Sequence, residues 1–191
     1  MDYEFFIWCI GQLDSVVTAA ALALVKAQVD FVSSTPNFRP HNGFQSIHSS
    51  QNNSAMNTLA KQLAKTIDSL IPVKALREYD VNVLAPGTSI PEHTDMMGPQ
   101  NIGWQTVRGH KVHFVLSGSD SRSAHRRSKE TVEREFKFNI GGIYLYNNYV
   151  FHRAWNAGTD QRIHFVLMYE DQRWEIKQSI YDKIGIKRPS F

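Results

Sequence analysis

Two stretches before residue 70 carry apolar positions at helical spacing, and from Val73 onward apolar positions tend to recur at every second position. The opening run, Tyr3 to Ile10, is aromatic and β-branched, reads as a strand, and ends at Gly11. Asp14 or Ser15 can cap a helix running to about Val29, with Val16, Ala19, Ala20, Leu22, Ala23 and Val29 as its apolar positions. Turn residues and Pro40 fill Asn37 to Gly43, and Phe44 to His48 is a short strand. Asn53 or Ser54 can cap a second helix over roughly 55–70, whose Met56, Leu59, Leu63, Ile67 and Leu70 lie on one face and suit packing against a sheet.

Beyond Val73 the strands are short and separated by turns. They are predicted at Val73 to Leu84, Ser89 to Thr94, His110 to Leu116, Thr131 to Asn139, Ile143 to Asn147, Val150 to Trp155 and Arg162 to Glu170. Ala85-Pro86-Gly87 is a turn, Met96 to Val107 is a loop over one end, and Ser117 to Lys129 is a long polar loop. Asn156 to Asp160 reads as a hairpin connection, with Gly158 for a positive φ. A short helix is expected from about Gln172 to Lys183. Two helices followed by many short strands suit a mainly β, antiparallel double-stranded β-helix of the jelly-roll or cupin-like kind, with the helices on one sheet. One domain is expected over 1–191, its β core over about 74–170.

Composition changes this picture little. The chain has 191 residues, 42% hydrophobic and 20% charged, with a formal net charge of +3. Its densest basic cluster, Arg122, His125, Arg126, Arg127 and Lys129, lacks interleaved aromatics, so no nucleic-acid partner is expected. Cys9 is the single cysteine, which excludes intrachain disulfides and thiolate zinc sites. The apolar run Val16 to Val25 is too short to span a bilayer, so a cytoplasmic protein without a membrane role is expected.

The candidate chemistry lies between Pro91 and Tyr169. His93 and Asp95 are two apart, so on a strand they share a face, and His152 is the candidate third ligand. Two imidazoles and a carboxylate form the ligand set of a non-haem Fe(II) oxygenase, with positions left for a co-substrate and O2. If the turn centres near Ala157, Arg162 stands opposite His152 across a hairpin and shares its cavity. A cation facing a barrel interior is costly unless it meets an anion, and the distal carboxylate of 2-oxoglutarate would be one. His113 and Lys111, two apart on one strand, could reach the other end of that co-substrate. His164 shares the face of Arg162 and either reaches the pocket or packs. His41, His48, His110 and His125 have no spacing that calls for a ligand role. A cupin-type metal-dependent hydrolase or isomerase, and a non-catalytic ligand-binding β-sandwich, remain open from the residues alone.

Pro91-Glu92-His93-Thr94-Asp95, Lys111-Val112-His113 and the run from Gly142 through Asn147-Asn148 and His152 to Arg162 resemble the aspartyl/asparaginyl β-hydroxylase family. The resemblance covers about residues 74–170. It implies an Fe(II)- and 2-oxoglutarate-dependent dioxygenase, with His93, Asp95 and His152 on the metal and Arg162, His113 and Lys111 on the co-substrate. Lys111 stands where the family often has Arg, a point charge in place of a planar fork. The substrate it implies is an amino acid, a peptide or protein side chain, or a related small molecule. The oligomeric state is not legible.

Overall fold

In the computed structural model, which describes residues 7–33, 44–48, 53–70, 76–93, 108–126, 133–146 and 151–170, the chain alternates between two antiparallel sheets. The order is β1 (Ile7–Gln12), α1 (Ser15–Ser33), β2 (Phe44–His48), α2 (Ser54–Thr66), β3 (Leu76–Leu84), β4 (Ser89–His93), β5 (Arg108–Ser117), β6 (Ser121–Arg126), β7 (Arg134–Phe138), β8 (Gly142–Tyr146), β9 (Phe151–Asn156) and β10 (Arg162–Glu170). A six-stranded sheet runs β1-β8-β5-β10-β3-β2, and a four-stranded sheet runs β4-β9-β6-β7. From β3 onward, successive strands pass from one sheet to the other except at the β6–β7 pair. This is the double-stranded β-helix expected from the strand pattern.

The period-2 side-chain pattern explains why the helices sit where they do. On β10, Ile163, Phe165, Leu167 and Tyr169 join Val112, Phe114 and Leu116 of β5 and Ile143 and Leu145 of β8 in one buried cluster with α1 and α2. The helices contribute Ala21, Val25 and Val29 from α1 and Met56, Leu59, Ala60, Leu63 and Ala64 from α2. Full burial of a side chain such as Phe114, Phe165 or Leu63 contributes about 1.5–3 kcal/mol. Asp14 Oδ1 accepts from Val16 N at 2.7 Å and Asn53 Oδ1 accepts from Met56 N at 3.0 Å, so both helix starts are capped from their own sequence. The alternate residues of the same strands, Lys111, His113 and Val115 on β5 and Arg162, His164, Val166 and Met168 on β10, therefore turn away from the helices.

Two expectations are corrected. Ser121–Arg126, expected within an exposed loop, is β6, paired to β7 and to β9. Its inward residues are Ser121, Ser123 and His125, each fully buried, so the hydrophobic alternation that normally announces a strand is absent. The basic cluster is accordingly divided: Arg122 pairs with Asp120, Arg126 pairs with Glu92, and His125 points inward. The second correction concerns residues 156–161. They do not close a hairpin: β9 pairs with β4 and β6, while both edges of β10 are taken by β3 and β5. Asn156 holds this crossing, its Nδ2 donating to Leu84 O at 3.1 Å and to Asp160 O at 2.7 Å, and its Oδ1 accepting from Gly158 N at 3.1 Å.

The expected loop over Met96 to Val107 and the expected helix from Gln172 lie outside the described residues. Among the described residues no helix is long and apolar enough to cross a membrane.

Candidate functional site

The inner face of the small sheet carries a row of three histidines. His93 at the end of β4, His152 on β9 and His125 on β6 are successive cross-strand partners. The pairing of β4 with β9 shifts between Ile90 and His93. An unbroken register from Ile90 opposite Ala154 would set Glu92 opposite His152; the shift sets His93 there, with ring centroids 4.3 Å apart. His93 Nδ1 lies 2.8 Å from Pro91 O. A carbonyl only accepts, so Nδ1 carries the proton and Nε2 holds the lone pair, the tautomer a metal-ligating imidazole needs. Among the described residues no set of three His, Cys, Asp or Glu is gathered closely enough to hold a metal ion. His93 and His152 supply two imidazoles, and Asp95, the expected third donor, lies outside the described residues.

His125 belongs to this face, although its spacing gave no reason to single it out. Ser123 Oγ touches Arg153 O at 2.8 Å, His125 Nε2 at 2.9 Å and Tyr146 Oη at 2.8 Å. Ser123 has one proton and the carbonyl must receive it, so His125 Nε2–H and Tyr146 O–H both donate to Oγ. Burial, and then the charge of His152, push the His125 imidazole down to about 3, so it is neutral at ordinary pH.

The facing sheet supplies the cationic residues. Arg162 is 3% exposed. Its Nε donates to Ser121 Oγ at 2.6 Å, its Nη2 lies 3.4 Å from His164 Nδ1, and its guanidinium sits 5.8 Å from the Phe138 ring centre. Burial lowers its pKa to about 10, which leaves it charged at neutral pH. Among the described residues Arg162 meets no carboxylate. His164 Nε2 lies 2.9 Å from Ser121 Oγ, and its Nδ1 lies 3.3 Å from His113 Nδ1. His113 stacks on Tyr146 with ring centroids 4.5 Å apart. Lys111, half-buried, shares the face of His113 and stands opposite Met168 and Tyr146. Val115, Phe138, Tyr144 and Tyr146 pack between these groups as an apolar lining.

His152 and Arg162 therefore share an interior, but not as neighbours on a hairpin. Each comes from its own sheet, and β6 connects them: Ser121 receives Arg162, and His125, four residues on, is the partner of His152. Tyr146 bridges further, its ring 5.3 Å from that of His152 and stacked on His113. The sequence-level reading missed Ser121, Ser123, His125 and Tyr146. The sequence of β6, Ser-Arg-Ser-Ala-His-Arg, is polar at all but one position and carries no period-two signal of a buried face.

The enclosed arrangement offers an imidazole pair, a buried cation and an apolar wall, which suits binding a metal ion next to a small anion. The family model for Aspartyl/Asparaginyl beta-hydroxylase matches residues 40–172. No curated protein sequence matches the chain. Among solved structures it is similar to the non-heme alpha ketoglutarate dependent carbocyclase SnoK from nogalamycin biosynthesis, at 12% identity and a TM-score of 0.61, covering 85% of this chain and 78% of that one. It is similar to the non-heme monooxygenase ThoJ in its nickel complex, at 14% identity and a TM-score of 0.59, over 87% and 73%. A prolyl-4-hydroxylase from Pseudomonas putida superimposes at 14% identity and a TM-score of 0.52, over 87% and 91%. At such identities the likeness to these structures is one of fold.

Proposed function

The chain belongs to the aspartyl/asparaginyl β-hydroxylase family, and from that premise we propose that it is an Fe(II)- and 2-oxoglutarate-dependent dioxygenase that hydroxylates an unactivated C–H bond. The substrate would be an amino acid, a peptide or protein side chain, or a related small molecule. His93, Asp95 and His152 would hold the iron; Arg162 would take the distal carboxylate of 2-oxoglutarate, with His113 and Lys111 towards its other end. Bound iron would couple O2 activation to oxidative decarboxylation of the co-substrate, releasing succinate and CO2 and leaving one oxygen atom on the substrate.

The observation that carries this reading is Arg162: buried, positively charged, without a carboxylate among the described residues, and inside the same interior as the His93–His152 pair. A cation so placed calls for an anionic ligand. A metal-dependent hydrolase or isomerase on this scaffold would not need it. The chain's own contribution is placement. The Nδ1–H donation to Pro91 O fixes the His93 tautomer, Ser121 fixes the Arg162 side chain, and in the apolar lining Phe138 packs against Arg162 and His164 and Tyr146 against His113.

Anaerobic titration with Fe(II) and 2-oxoglutarate tests the reading. The wild type should develop the weak visible band of the metal chelate, which His152→Ala and Arg162→Ala should each lose. Absence of the band from the wild type, or its persistence in both variants, overturns the proposal. A screen of amino acids and peptides for uptake of one oxygen atom, read by mass, then identifies the substrate.

A further inference from the structure

His164 is buried with no exposed atom surface of consequence, carries no role in the reading above, and touches both groups assigned to the two ends of the co-substrate. Arg162 has only donors. Its Nη2 approaches His164 Nδ1 at 3.4 Å, a contact that is attractive only if Nδ1 presents a lone pair. A proton on Nδ1 would turn an N–H towards a buried guanidinium. With the lone pair on Nδ1, a neutral imidazole carries its proton on Nε2, which lies 2.9 Å from Ser121 Oγ and donates to it. Ser121 Oγ then accepts from both Arg162 Nε and His164 Nε2. His113 Nδ1 also faces His164 Nδ1, at 3.3 Å, so His113 must be the donor there.

We propose that His164 is a positioning residue: a neutral Nε2–H imidazole whose Nδ1 lone pair receives both Arg162 and His113 and so holds the two co-substrate-binding side chains in one frame. His113 is thereby committed through Nδ1–H to His164, and it meets the co-substrate only through Nε2. This assignment rests on the proposed co-substrate site, but its central claim concerns protons present in the protein alone. Strong burial together with the charges of Arg162 and His113 holds His164 well below the ordinary histidine range, in keeping with a neutral ring between two donors.

The test is a long-range proton–nitrogen correlation spectrum of the full chain with nitrogen-labelled histidine, recorded without metal and assigned by single substitutions. In the wild type His164 should show a protonated Nε2 and a bare Nδ1, and His113 a protonated Nδ1. His164→Leu should release His113 into a mixture of tautomers. His164→Asn, which places an amide oxygen near the Nδ1 position, should restore the His113 Nδ1–H state; His164→Gln, which reaches towards Ser121, should not. Affinity for 2-oxoglutarate, measured anaerobically with Fe(II), should fall on the order of tenfold in His164→Leu and recover in His164→Asn, the loss expected of one charge-assisted hydrogen bond. A protonated Nδ1 on wild-type His164, or a His113 tautomer unchanged in His164→Leu, overturns the proposal. If His164→Leu fails to fold, the wild-type spectrum and the Asn and Gln pair still decide it. If the wild type binds no 2-oxoglutarate, the functional reading fails while the tautomer result still decides the role of His164.

Discussion

Arg162 on β10 donates through Nε to Ser121 Oγ on β6 at 2.6 Å, so a buried cation of the large sheet is fixed by a hydroxyl of the small one. Ser121 is neutral and offsets only part of the cost of desolvating the guanidinium. Arg162→Met should therefore leave the ligand-free protein equally stable or stabilise it by about 1–4 kcal/mol, as replacement of buried charge by apolar volume does elsewhere. The same variant should lose the response to ligand. For the wild type, 2-oxoglutarate at about 100 times its dissociation constant, with Fe(II) under anaerobic conditions, contributes about 2.7 kcal/mol and raises Tm by roughly 5–10 °C. Thermal unfolding of both proteins with and without ligand checks this. A variant several kcal/mol less stable without ligand would show that Arg162 serves the fold.

His93 and Glu92 are adjacent on β4 and so face opposite ways, and the register shift in β4 sets His93, not Glu92, opposite His152. Glu92 accepts from Arg126 Nε at 2.7 Å, and that bond, the largest cause, holds its carboxyl below the usual range. His93→Ala and His152→Ala should each weaken metal binding by about 100-fold or more, following loss of a primary ligand. Glu92→Ala should leave the metal dissociation constant unchanged. Isothermal titration with Fe(II) or a redox-silent substitute separates these outcomes, and a Glu92 effect as large as that of His93 would mean that the strand presents its other face to the metal.

What the sequence made legible depended on whether its inward positions were apolar. β10 could be placed because Ile163, Phe165, Leu167 and Tyr169 alternate with Arg162, His164, Val166 and Met168, and the apolar set was bound to meet the helices. β6 could not, since Ser121, Ser123 and His125 are buried through hydrogen bonds and not through apolar area. His152 and Arg162 are expected from the sequence to face one another across a hairpin, whereas the structure sets them on different sheets. Ten residues of separation fit a hairpin, and nothing in residues 156–161 states that both edges of β10 are occupied by β3 and β5. The His93–His152 pairing likewise depends on a local register shift that no residue type announces.

Burial of neutral histidine gives the fold an acid limit. His164 is held well below 6.5, first by burial and then by the charges of Arg162 and His113. Because the folded-state pKa is depressed, both states are neutral above the unfolded value and stability is full there. Below about 6.5 the unfolded chain takes up a proton that the folded chain refuses, so stability falls with pH by at most about 1.4 kcal/mol per unit for this group. His125, pushed down to about 3, acts in the same direction. Denaturant unfolding of metal-free protein between pH 7.5 and 5 should show this decline, and His164→Asn should make it shallower by up to one proton's share. An unchanged slope in that variant would mean that His164 is protonated in the folded state.

Gly118, between β5 and β6, links backbone conformation to the candidate co-substrate site. Its φ is +119°, and a Cβ there would lie 3.1 Å from Arg162 Cα, 3.2 Å from Arg162 Cβ and 3.3 Å from Ser121 Cβ. A side chain at this position would strain the turn and press on both members of the Arg162–Ser121 bond at once. Gly118→Ala should therefore destabilise the fold by about 1–3 kcal/mol and also raise the KM for 2-oxoglutarate. Gly87 is the control: its φ is +71°, but an added Cβ would meet nothing within 4 Å. Gly87→Ala should cost about 1 kcal/mol of backbone strain and leave co-substrate affinity untouched. Urea unfolding and steady-state kinetics on the two variants separate strain in a turn from displacement of the guanidinium. Equal KM values for both would mean that Arg162 and Ser121 tolerate the added methyl without moving.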